Sequence, residues 1–132
     1  MKYLVDTQIL IWAITDPKKL AENTLSILRN NRILVPQISL FEISIKQKIN
    51  KLPELNIPIN DLIERMRADN FEILPLSNDH ITKYGEVPMF PDHRDPFDRL
   101  IIATALHENI TLISADEKFR SYKEIINLIE NN

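Results

Sequence analysis

Asp6, Glu42, Asp98 and Asp116 lie in four separate segments, each where an apolar run gives way to a helical pattern. In an open parallel sheet such points gather on one rim, beyond the carboxyl ends of the strands. Two carboxylates about 5 Å apart repel by about 3 kcal/mol at an effective dielectric near 20. A cluster of four therefore either keeps protons through raised pKa values or binds cations, and hard oxygen donors select Mg²⁺ or Mn²⁺. The densest segment runs from His93 to Leu106, where a knot of charge opens a helix that is otherwise nearly all apolar. Such a helix is buried on most sides, so its first turn, with Asp98, is the part left to face water or an ion.

Each acid also has a structural role available to it. Ser39-Leu40-Phe41-Glu42 has capping-box spacing, which would send Glu42 back to the Ser39 amide, and Ser114-Ala115-Asp116-Glu117 repeats it. Asp95-Pro96 places Asp95 at the cap of the apolar helix, with Asp98 in its first turn. Acids there favour the helix dipole by about 0.3–1 kcal/mol. Capping is the commoner role at any one position, but it does not explain four acids on the same side of a sheet. The histidines, His80, His93 and His107, have no zinc-like spacing, and surface or loop roles are expected for them.

The elements that must position these acids alternate between strand and helix. Lys2 to Val5 reads as a short buried strand, followed by a helix over Gln8 to Ile14 capped at Asp6-Thr7. Asp16-Pro17 restarts a helical stretch to about Asn30. Ile33 to Val35 is a second strand, and Ser39 opens a helix from Leu40 to about Asn50. After the prolines at 53 and 58, Asn60 caps a helix to about Asp69, and Phe71 to Leu74 is a third strand. Ser77 caps a helix that Gly85 stops after Tyr84. The buried helix runs from Pro96 to His107 with Asn109 as a left-handed stop, then comes strand Thr111 to Ile113. A last apolar run, Ile125 to Ile129, reads as an edge strand. This order predicts an α/β fold, a three-layer α/β/α sandwich around a mostly parallel sheet of four or five strands.

Composition bounds the remaining possibilities. The 132 residues show no repeat or Gly/Ser-rich linker and fit one domain, residues 1–132; 44% apolar and 27% charged residues suit an ordinary globular chain. Without cysteine there is no disulfide or thiolate metal site. The apolar run Ile9 to Ile14 is too short to span a bilayer and lacks a small-residue cleavage site, so a cytoplasmic location is expected, with no membrane contact. A single glycine, Gly85, excludes glycine-rich phosphate loops. The net charge of -3 counts at first against a nucleic-acid partner, but setting the four acids aside turns the balance slightly positive.

Four segments, Tyr3 to Thr7, Ser39 to Ser44, Asp95 to Ala105 and Thr111 to Phe119, together and in this order resemble a PIN domain, most closely the VapC type of toxin ribonuclease. The resemblance spans nearly the whole chain. It implies an α/β/α nuclease that cuts RNA with Mg²⁺ or Mn²⁺, commonly a homodimer neutralised by a small antitoxin protein. It places the acidic, metal-holding site on Asp6, Glu42, Asp98 and Asp116, with Thr7 and Ser114 as hydroxyl neighbours. Asp95 matches the His-Arg-Asp-Pro-Phe-Asp form of one branch and is treated as a cap that assists the site. Arg94 and Arg99, near Asp98, are candidate phosphate clamps; for Arg99 a surface stem over apolar neighbours is an equal expectation. Lys46, Lys48 and Lys51 are candidates for backbone contacts, against a solvated helix face. Leu52 to Met66 carries more apolar positions than one helix needs, and either packs into the core or forms, with the helix of Glu42, a groove for an antitoxin peptide.

Other classes are weaker fits. A phosphohydrolase with an aspartyl intermediate would want a second acid two residues after the first, and Asp6-Thr7-Gln8 lacks it. A receiver-type module would show paired acids after the first strand. A catalytically silent antitoxin- or RNA-binding module shares the same sequence features and separates from a nuclease only by assay.

Overall fold

The computed structural model describes residues 1–132. Five short strands, Lys2–Val5 (β1), Arg32–Pro36 (β2), Phe71–Leu74 (β3), Thr111–Ser114 (β4) and Leu128–Glu130 (β5), form one sheet in the order β3-β2-β1-β4-β5. Every neighbouring pair is parallel. The helices are Thr7–Thr15 (α1), Glu22–Asn30 (α2), Gln37–Lys48 (α3), Ile59–Ala68 (α4), Asn78–Tyr84 (α5) and Pro96–Glu108 (α6), with 3-10 segments at Pro17–Lys19, Pro53–Leu55 and Glu117–Tyr122.

Successive strand side chains point to opposite faces, and both faces are apolar. Val5, Ile33, Val35 and Ile113 pack with Ile9 and Leu10 of α1 and Leu62 and Met66 of α4. Leu4, Leu34 and Leu112 pack with Ile101 and Ile102 of α6 and with Phe119 and Tyr122. The two cores make the three layers. A register slip of one residue would exchange them, which fixes the rim on which the strands end.

Several boundaries differ from the sequence reading. The stretch after Asp16 breaks into the Pro17–Lys19 turn and α2, because Asp16, preceding proline, is held out of the helical region at φ -158° and ψ 77°. Helix α3 starts at Gln37 against Pro36, so Ser39 and Glu42 lie inside it and the expected capping box does not form. Gly85 does end α5, but in right-handed geometry (φ -63°, ψ -19°). The left-handed positions fall on Asn50, Asn70 and Asn109, at φ 57°, 66° and 54°. Ile125 and Ile126 form a turn, each amide bonding the Tyr122 carbonyl, so β5 is only Leu128–Glu130.

In the segment after α3, Leu52, Leu55, Leu62 and Met66 are buried in the core. Ile59 and Ile63, half-buried against the same core, also join Ile38, Leu40, Phe41 and Leu76 in lining an apolar cleft of about 620 Å³ beside α3. No helix is long and apolar enough to cross a membrane.

Candidate active site

Beyond the carboxyl ends of β1 and β4 lies a cleft of about 550 Å³ lined by Asp6, Glu42, Asp95, Asp98, Asp116 and Glu117, with Lys46 the one cation among its walls. Six carboxylates in one cleft come from four stretches of chain. Asp6 follows β1 directly and caps α1, accepting the Ile9 amide on Oδ1 at 2.8 Å. Its Oδ2 accepts the Ser114 hydroxyl at 2.8 Å and the Ala115 amide at 3.0 Å, both from the end of β4. Burial pushes the Asp6 carboxyl up to about 6; the three donors pull the other way without cancelling it, and the charge of Asp116 adds to the rise.

Glu42, in the second turn of α3, accepts the Thr7 hydroxyl on Oε1 at 2.7 Å, and its Oε2 is 3.2 Å from Lys46 Nζ one turn further on. Thr7 Oγ1 also shares a hydrogen bond with Ser39 Oγ at 2.9 Å, so the start of α1 and the start of α3 are tied through side chains. Asp98, in the first turn of α6, lies with Oδ2 3.0 Å from His93 Nε2. Burial pushes the Asp98 carboxyl up to about 6, opposed by the His93 hydrogen bond and reinforced by the charges of Asp95 and Glu42. Asp95 caps α6, accepting the Phe97 amide at 2.8 Å and the Asp98 amide at 3.2 Å. Asp116 accepts the Lys118 amide at 2.9 Å and caps the last 3-10 segment.

The four acids singled out in the sequence thus share one cleft, together with Asp95 and Glu117. Thr7 and Ser114 are buried and spend their hydroxyls on Glu42 and Asp6. Arg94 is exposed and does not line the cleft. Arg99 occupies neither expected setting. It is buried, donating to Tyr84 Oη at 2.6 Å and to the carbonyls of Val87 and Pro88 at 2.9 and 3.4 Å, so it holds the loop before α6 instead of reaching a phosphate. Of the histidines, for which surface or loop roles are expected, only His80, inside α5, departs from both; His93 does lie in the loop before α6, though with its side chain buried. His80 is buried, accepting the Ser77 amide and pairing with Glu108 at 2.7 Å, and His93 is buried behind Asp98. Only His107 is partly exposed, 3.7 Å from Asp79.

The donor types suit a hard divalent cation: the cleft offers carboxylate oxygens, and burial pushes two of its carboxyls, Asp6 and Asp98, up to about 6. In this arrangement no three acids or histidines lie close enough to share one ion, so holding it would draw the side chains inward from the cleft walls.

Solved structures with this fold come from several bacteria. VapBC2 from Rickettsia felis, bound to a DNA fragment from their promoter, aligns over 100% of both chains with TM-score 0.71 and 23% identity. VapBC-1 from nontypeable Haemophilus influenzae aligns over 98% of each chain with TM-score 0.67 and 20% identity. A toxin-antitoxin complex from Klebsiella pneumoniae also covers 98% of each, with TM-score 0.65 and 18% identity. No curated protein matches the chain. The PIN domain model matches residues 3–125, a span that contains all six acids of the cleft, and the chain belongs to the PIN domain family.

Proposed function

We propose that this chain is a VapC-type endoribonuclease, the toxin of a toxin-antitoxin pair, which hydrolyses RNA phosphodiester bonds with Mg²⁺ or Mn²⁺. The observation that carries the reading is the single cleft of six carboxylates, two of them pushed up to about 6, in a chain of the PIN family. The residues that would hold the ion are Asp6, Glu42, Asp98 and Asp116, and the ion when bound supplies Lewis acidity at a phosphate oxygen and a more acidic water.

The chain's own contribution is positioning. Three donors on Asp6 and the Thr7 hydroxyl on Glu42 tether those carboxylates to the rim of the cleft, within reach of an ion that would draw them inward. Glu42 or Asp116 orders the attacking water, with Asp95 assisting as the cap that holds the first turn of α6. Lys46, already at the cleft wall, offers a charge to the RNA backbone, and exposed Arg94 a second one. In-line attack leaves a 5′ phosphate and a 3′ hydroxyl. The partner reading rests on the apolar cleft beside α3, where Phe41 is 58% exposed, and on the toxin-antitoxin complex among the similar structures. The whole chain acts as one nuclease domain, as a homodimer, in the cytoplasm where its substrate is.

Purified protein with Mn²⁺ is expected to cut single-stranded RNA, and Asp6→Asn or Asp98→Asn to slow cleavage by at least ~100-fold. Equal cleavage by wild type and Asp98→Asn would sink the assignment. The same preparation should scatter light as twice the 15.4 kDa chain, and the product of the adjacent gene should suppress its cleavage.

A further inference from the structure

We infer that His93 is a positioning residue that sets the orientation of the Asp98 carboxylate for metal holding, an inference that rests on the ribonuclease reading above. His93 is 3% exposed and does not line the acidic cleft; it stands behind it. Its Nε2 lies 3.0 Å from Asp98 Oδ2, while Asp98 Oδ1 has no hydrogen-bond partner in the chain and is left for the cleft. The imidazole cannot turn away. Its centroid is 5.4 Å from the ring of Phe119 and 5.4 Å from that of Tyr122, at interplanar angles of 60° and 64°. Its backbone is pinned as well, the His93 amide donating to the Phe90 carbonyl at 3.1 Å, with the Phe90 ring against Tyr122.

His93 Nδ1 is buried without a partner. A proton on Nδ1 would be a buried donor without an acceptor, so the arrangement selects the tautomer whose N–H is on Nε2, aimed at Asp98. A histidine that packs only as an aromatic would not need its donor directed at a carboxylate on the rim of the site. Carboxylates that ligate metals are themselves commonly held by a hydrogen bond from behind, and loss of that partner weakens metal binding.

Two substitutions separate the hydrogen bond from the packing. His93→Gln carries an amide N–H the same number of bonds from the backbone as Nε2; His93→Leu fills the aromatic slot with no donor. Calorimetric titration with Mn²⁺, alongside melting temperatures and RNA cleavage, is expected to show Mn²⁺ affinity roughly 10–100-fold weaker in His93→Leu. In that variant kcat falls and KM for RNA holds, while His93→Gln stays near wild type. Should His93→Leu not fold, His93→Asn, whose amide stops short of Asp98, carries the same expectation. Wild-type Mn²⁺ affinity in His93→Leu, or an equal loss in His93→Gln and His93→Leu, would overturn the inference while leaving the ribonuclease reading intact. A wild-type protein that neither binds Mn²⁺ nor cuts RNA would overturn both.

Discussion

Asp98 and Asp6 are both pushed up to about 6, but they are held differently: Asp6 has three donors, whereas Asp98 has one. An amide at 98 can keep the His93 bond and sheds the uncompensated charge. Asp98→Asn is therefore expected to stabilise the metal-free protein at pH 7.5 by roughly 1–3 kcal/mol, since each unit of pKa shift corresponds to about 1.4 kcal/mol. Between about pH 4 and 6 the folded wild type holds more protons than its unfolded chain, so its stability falls as pH rises through that window. The gain in Asp98→Asn should accordingly fade as pH falls from about 6 to about 4. Urea titrations of both proteins across that range check the sign, and a variant less stable at pH 7.5 would refute it. The acids were legible in the sequence because strand ends and helix starts are. His93 was not, because its role depends on the docking of Phe119 and Tyr122 from a remote segment. Arg99 misled for a simpler reason: one step along a helix turns a side chain through about 100°, so the neighbour of a cleft residue faces elsewhere.

Helix ends in this chain are finished mainly by asparagine. Asn50, Asn70 and Asn109 take the left-handed conformation that glycine usually supplies, in a sequence whose single glycine is right-handed. The Asn109 stop and the Ser77 cap were readable from spacing, and Ser77 indeed forms a reciprocal box with His80. The Ser39 box was not realised, because Pro36 starts α3 early and Glu42 is claimed by Thr7 across the rim. A cap can be read locally; a competing partner 35 residues away cannot. At the end of α4, Asn70→Ala should lower stability by about 1–2 kcal/mol, because alanine has neither glycine's freedom from a Cβ nor the short polar side chain that lets asparagine tolerate the left-handed region, whereas Asn70→Gly should not. Both variants should cut RNA at the wild-type rate. Equal urea midpoints for the two would show that the left-handed backbone at Asn70 costs nothing.

For the molecule as a whole, burying carboxyls in the acidic cleft costs stability, a cost that the cation of the function proposed above would offset. A cation bound there is expected to raise the melting temperature, by about 2.7 kcal/mol of stability at a concentration 100 times Kd. Because protons and metal compete for the same carboxylates, Mn²⁺ should protect strongly at pH 7.5 and much less at pH 5, where Asp6 and Asp98 are mostly protonated. Differential scanning calorimetry with and without chelator tests this, and equal protection at the two pH values would place the ion elsewhere. The sheet that carries the cleft has two open margins. On β3, Glu72 faces outward and grips Arg32 of the next strand with both oxygens, 2.9 Å to each contacting nitrogen. On the short β5, Glu130 is held by Arg120 and lies 3.2 Å from Lys123. An all-parallel sheet would otherwise invite further chains to zip onto its borders. With charged side chains paired on each side, neighbouring copies of this chain can crowd together without fusing into fibres.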